Sequence, residues 1–232
     1  SANGDNTESY GSGLGLRVYN QPEAGQEPSA TGKWKVANVT NNKPTLTYKG
    51  TEASSVDARK VFPSGTSITK AMLENLVTVG DREDKVTNEA DKPYGTPTVK
   101  IVSGLTETPG KATASGSYAV VLKAVDSQGK ESDPLTVYVG VVSTELKYQP
   151  KVGGVAKGDA KEITVPADKT HQGDVVSYTP EEITVDGKVY TPETPGEQTV
   201  TLTDKPRTVD VTYVEKPGSR EVKYQPKVGG VA

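Results

Sequence analysis

The sequence predicts an all-β chain, and three observations carry that prediction. Apolar residues make up only 32% of the 232 positions, and valine dominates them, with 31 Val against 10 Leu and 4 Ile. Valine is branched at Cβ and, like threonine, fits a pleated, half-buried surface better than a helix. Gly (24) and Pro (16) punctuate the chain at short intervals, which leaves room for strands and turns but not for long helices. Finally, residues 145–156 read ELKYQPKVGGVA and residues 221–232 read EVKYQPKVGGVA, a 76-residue offset whose one difference is Leu146 against Val222. Such a period marks a tandem array of small domains, each a complete supersecondary unit. The expected organisation is a partly ordered lead-in over 1–33, a β-sandwich with one short helix over 34–143, a first small β repeat over 144–219, and the start of the next repeat at 220–232.

In chain order, the Gly-, Asn- and Gln-rich lead-in holds at most one strand, at Leu14–Tyr19. The strands expected next are Trp34–Val39, Thr45–Tyr48, Thr98–Ser103, Tyr118–Val125 and Leu135–Val142. Between them, Ile68, Met72 or Leu73, and Leu76 recur at helical spacing, with Ser67 or Thr66 as N-cap, and predict a short helix over a sandwich edge. In the repeat, Glu162–Val165 and Asp174–Tyr178 flank a loop. Ile183–Val185 and Lys188–Tyr190 are joined by Asp186-Gly187, the dipeptide that favours a type I′ hairpin. Thr199–Leu202 follows, and then Thr208–Val214, which puts Val209, Val211 and Tyr213 on its buried side. The repeated Tyr148-Gln149-Pro150 with Lys151 reads as a stiff domain junction turned by Gly153-Gly154.

The bulk numbers exclude several classes of function. A net charge of −3 without clustered Lys/Arg offers no footprint for nucleic acid. No apolar run approaches the roughly 18 residues of a membrane span. With no cysteine there are no disulfides, thiolate nucleophiles or cysteine metal ligands. The one histidine, His171, lies in a loop with no partner pattern for a triad. Asp81-Arg82-Glu83-Asp84 and Glu131-Ser132-Asp133 lack the alternating spacing that gathers oxygens around calcium. No catalytic residues, cofactor or metal are therefore expected, and the chain reads as no enzyme.

The run Gly116-Ser117-Tyr118-Ala119-Val120-Val121-Leu122-Lys123-Ala124-Val125-Asp126-Ser127-Gln128-Gly129-Lys130 has a G-x-Y…A-x-D-x-x-G pattern. It resembles the penultimate strand and turn of bacterial cadherin-like and Ig-like repeats. With the Pro63–Val79 run before it, it is similar to modules of Gram-positive wall-anchored adhesins over roughly residues 56–142. The same segment resembles the Siglec-like sialoglycan-binding domain of streptococcal adhesins, in which this Tyr is followed by Thr-Arg and the Arg holds the sialic acid carboxylate. Ala119 and Val120 stand there in this chain, and valine offers a carboxylate no donor. The repeat unit, through Val209–Val214, is similar to β-grasp modules of Gram-positive surface proteins. The resemblance implies an Ig-like (cadherin-like) sandwich followed by β repeats in a monomeric, wall-anchored adhesin outside the cell. Such a protein would project a region for host glycan or glycoprotein, with no nucleic-acid partner and no membrane insertion.

The alternative reading is a glycan-binding module without the Thr-Arg pair. For it the candidate ligand residues are Trp34, whose indole flanked by Lys33 and Lys35 can stack on a sugar ring, with Tyr118 and Lys123. Closing strands without Asn argue against a Lys–Asn isopeptide cross-link. Asn38-Val39-Thr40 is a sequon only in form.

Overall fold

The computed structural model describes residues 42–80 and 96–218, together with the backbone of two short antiparallel strands, β1 (Thr7–Glu8) and β2 (Arg17–Val18). The strand expected at Trp34–Val39, the 81–84 acid cluster and the second copy of the repeated segment lie outside the described residues. The protein is all-β, as the valine-rich composition predicts, and its described residues contain one short helix. They divide into two compact units. The first holds 42–60, 67–80, 96–112 and 118–139, and the second holds 61–66, 113–117 and 140–218.

In the first unit β3 (Thr45–Tyr48) pairs antiparallel with β5 (Val77–Gly80). A four-stranded sheet runs in the order β4 (Lys60–Phe62), β8 (Leu135–Val141), β7 (Gly116–Val125), β6 (Thr98–Ser103). Strand β7 shows the period of two expected for one wet face. Val120, Leu122 and Ala124 are buried while Val121 and Lys123 between them are partly exposed. Helix α1 (Lys70–Glu74) starts later than the sequence suggested, because Thr66 closes its own turn onto the Pro63 carbonyl. Thr69 is the cap, its Oγ1 accepting from Met72 N–H at 3.2 Å. Buried Ile68 and Leu73 then occupy the positions of a hydrophobic staple around that cap.

The second unit is built on β9 (Leu146–Val152), β10 (Val155–Ala156), β11 (Lys161–Ile163), β12 (Val175–Tyr178), β13 (Ile183–Val185), β14 (Lys188–Pro192), β15 (Gln198–Thr201) and β16 (Arg207–Glu215). The main sheet has the order β10-β9-β16-β14-β13, with β11 also on β9, while β12 and β15 pair separately. The Asp186-Gly187 hairpin forms as predicted, both residues having positive φ (50° and 76°). Val211 and Tyr213 of β16 are buried on the predicted face, in a core with Leu146, Tyr148, Val176 and Leu202.

The repeated segment is where the structure corrects the sequence reading. Residues 146–152 are no junction: they form β9, an interior strand that runs parallel to β16 and antiparallel to β10 and β11. Pro150 sits in the middle of it, buried. A proline is tolerated because its nitrogen faces the gap between β11, which pairs with 146–148, and β10, which pairs with 151–152. In that gap Lys157 N–H donates to the Pro150 carbonyl at 2.9 Å, and the Gln149 amide donates to the carbonyls of Pro150 and Gly158. Gly153-Gly154, both at positive φ, turn β9 tightly into β10.

Candidate functional site

Two of the three residues predicted to meet a ligand are described, and the fold does not bring them together. Tyr118 and Lys123 are five positions apart on β7, so their side chains leave opposite faces of the sheet. Trp34 lies outside the described residues. Val120, at the position where the sialoglycan-binding family has its arginine, is 0% exposed in the core. A guanidinium there would be buried among apolar side chains rather than presented to a sugar.

Lys123 is occupied by its own protein. It stands directly opposite Lys100 in the β6–β7 register, an arrangement of like charges that costs stability. Glu131 resolves the conflict: its Oε1 accepts from Lys100 Nζ and its Oε2 from Lys123 Nζ, the latter at 3.0 Å. The Lys100 hydrogen bond, followed by that of Lys123, holds the Glu131 carboxyl below the usual carboxylate range. A depressed folded-state pKa contributes stability that is present above the unfolded value, about 4.3, and is lost as pH falls through the folded one. Lowering the pH from 6 to 3 should therefore reduce the melting temperature of the first unit more in the wild-type chain than in Glu131→Gln. At pH 7 the variant should melt lower, because Lys100 and Lys123 then face each other unbridged. Parallel melting-versus-pH curves for the two proteins would refute the bridge.

The turn after β7 is set as the sequence implied. Asp126 Oδ1 accepts from Gln128 N–H (2.9 Å) and Lys130 N–H (2.8 Å), and Gly129 takes φ of 85°. Asp126 Oδ2 is buried with no hydrogen-bond partner among the described residues. The His171 loop is likewise a structural turn. Asp174 Oδ2 accepts from the backbone N–H groups of Thr170 (3.0 Å) and His171 (2.9 Å). Those bonds, that of His171 first, draw the Asp174 carboxyl below its ordinary value. His171 itself is exposed, and its Nδ1 lies 3.0 Å from Thr170 Oγ1.

Two clusters in the second unit went unread in the sequence. Tyr148 and Tyr178 stack with ring centroids 5.5 Å apart, and Tyr213 donates to the Glu181 carbonyl at 2.6 Å while Glu181 N–H donates to Tyr148 Oη at 3.2 Å. Burial, foremost, pushes the Tyr213 phenol well above its usual range, so it stays a neutral donor. The other cluster centres on Asp204, 0% exposed, whose Oδ2 accepts from Ser117 Oγ at 2.7 Å. The backbone of Gly140 lies against that carboxylate so closely that any Cβ on it would collide with Oδ2. Asp204 comes from an ordinary turn, Thr203-Asp204-Lys205-Pro206, and no local pattern distinguishes it from a solvated acid.

A groove of about 390 Å³ in the same unit is lined by Gly158, Asp159, Lys161, Glu181, Glu182 and Thr184, among others. Lys216 engages Glu182 at 3.0 Å, and no nucleophile–base pair converges on the groove. Among the described residues no three His, Cys, Asp or Glu gather where they could hold a metal ion, and no helix is long and apolar enough to cross a membrane. The polar clusters of both units bind the chain's own backbone and side chains. No family model, no curated protein and no solved structure matches the chain.

Proposed function

We propose that this chain is a non-enzymatic segment of a Gram-positive cell-wall-anchored adhesin, exposed outside the cell as a monomer. In it an Ig-like region precedes a stalk of tandem β units that project a region for host glycan or glycoprotein. The observation that carries this reading is the role of the repeated segment. ELKYQP supplies an interior strand of a sheet, not a linker, so its near-identical recurrence 76 residues later supports the reading of a further unit of the same design. The repeated side chains of the motif have local tasks. Tyr148 packs and accepts a hydrogen bond, Gln149 spans the strand gap, and Lys151 meets Asp210 at 3.1 Å. A motif whose residues are used internally repeats because the fold repeats, rather than because a ligand is bound at each copy. The glycan-binding alternative has no comparable support, since Tyr118 and Lys123 diverge and Val120 is in the core.

The test uses antibodies against this chain on intact cells of the source organism. Labelling without permeabilisation, with release of the antigen by cell-wall digestion, is expected. Labelling only after permeabilisation, or a parent gene without further YQPKVGG copies at the 76-residue spacing, would overturn the proposal.

A further inference from the structure

We propose that the second unit is a tension-bearing element whose load is carried by the parallel β9–β16 ladder. The inference stands on the topology of one unit and holds wherever the parent protein resides. The unit begins its sheet with β9 and ends it with β16, and these two strands are neighbours. They pair in parallel through six matched positions, from Arg207↔Leu146 to Thr212↔Lys151. Arg207 N–H also donates to the Glu145 carbonyl at 3.0 Å, closing the ladder at the end where the chain comes in. The chain leaves after Glu215, eight residues further along β16, or roughly 26 Å at about 3.3 Å per residue.

Tension on the two ends therefore pulls β9 backward along its axis and β16 forward along its own. The strands are asked to slide, and the evenly spaced rungs of a parallel ladder must stretch together rather than open one after another. Strand β9 is held on its other side by β10 and β11, while β14 pairs β16 just beyond the ladder, at residues 213–215. Sliding is also opposed by the core. Leu146, Tyr148 and Pro150 of β9, with Val211 and Tyr213 of β16, point inward. A slip of one residue turns such a set toward water, so the first position at which inward residues face inward again is two residues away. The Lys151–Asp210 pair, with side chains 33% and 61% exposed, adds little to this resistance. In a tandem array the same force would pass through every unit in series, and the sequence of β9 residues 146–151 recurs at 222–227 with Val222 in place of Leu146.

The absence of cysteine allows handles to be placed at will in the 232-residue chain. Thr144→Cys with Pro217→Cys applies force along the ladder. Thr144→Cys with Lys205→Cys pulls both strands apart from the same end, opening the rungs in turn. All three positions are exposed. In single-molecule pulling at one loading rate, the first pair should rupture at a force at least about twofold higher than the second, as expected when rungs share the load. Equal forces in the two geometries would overturn the proposal. Asp210→Ala in the first pair should leave the rupture force unchanged; a large drop would place the load on the exposed ion pair and overturn it as well. Surface labelling in the antibody test leaves this comparison untouched, so either idea can fail alone.

Discussion

Tyr213→Ala should destabilise the second unit by about 3–5 kcal/mol, the range for emptying a large aromatic site in a core. Tyr213 is 1% exposed, and its ring packs among Tyr148, Val176 and Leu202 in the cluster that β16 presses onto. The phenol contributes separately, because its hydroxyl satisfies the Glu181 carbonyl at 2.6 Å. Tyr213→Phe keeps the ring and should cost only about 1–2 kcal/mol, the penalty for a buried acceptor left without its donor. Amide hydrogen exchange of residues 146–215 reads both losses within this unit alone. Equal effects of the two variants would mean that the hydrogen bond, not the ring, holds the core. Loss of the Tyr213 ring, one residue beyond the ladder, should also lower the rupture force along β9–β16, since the ring is one of the groups that must be dragged through the core.

Gly140→Ala should cost about 1–3 kcal/mol, the usual range for overpacking, although it adds only one methyl group. The added Cβ would collide with Asp204 Oδ2 and lie 3.1 and 3.2 Å from the Cβ and Cγ of Asp204, and the carboxylate has nowhere to retreat while Ser117 holds it. Asp204→Ala should itself cost about 1–3 kcal/mol, because it removes the Ser117 hydrogen bond onto a charged, fully buried acceptor. The double variant distinguishes a specific lock from two unrelated defects. With the carboxylate gone, Gly140→Ala should become nearly neutral, so the two costs fall short of adding by at least about 1 kcal/mol. Additive losses in urea denaturation would show that Gly140 serves something other than Asp204.

Much of the fold was legible locally. Alternation along β16 identified its buried face, and Asp186-Gly187 identified its hairpin, because period and turn chemistry are properties of neighbouring residues. The helix was found but its cap was misplaced by two or three residues: Thr66, Ser67 and Thr69 are equivalent as local N-caps, and the turn closed on Pro63 chose among them. The candidate ligand set was not legible in the same way. Tyr118 and Lys123 look adjacent in a list, yet the strand's alternation separates them and Glu131 claims the lysine.

The repeated segment divides most clearly what sequence and structure each determine. The sequence alone shows that the segment 145–156 recurs at 221–232 with one difference, and its composition predicted an all-β chain with narrow, valine-rich cores. It did not reveal that a stretch containing Pro150 and ending in Gly153-Gly154 is an interior strand, since proline and paired glycines are local signals for a linker. Tertiary structure decided otherwise, because the strand missing on one side of Pro150 is supplied around it by β10, β11 and Lys157, while β16 pairs the other side from the far end of the unit. Parallel pairing between the first and last strands of a unit is a non-local choice, made by which apolar faces can be buried together. It is also that choice, invisible in the residues of either strand, which turns a small valine-rich sheet into one that can be pulled from its two ends.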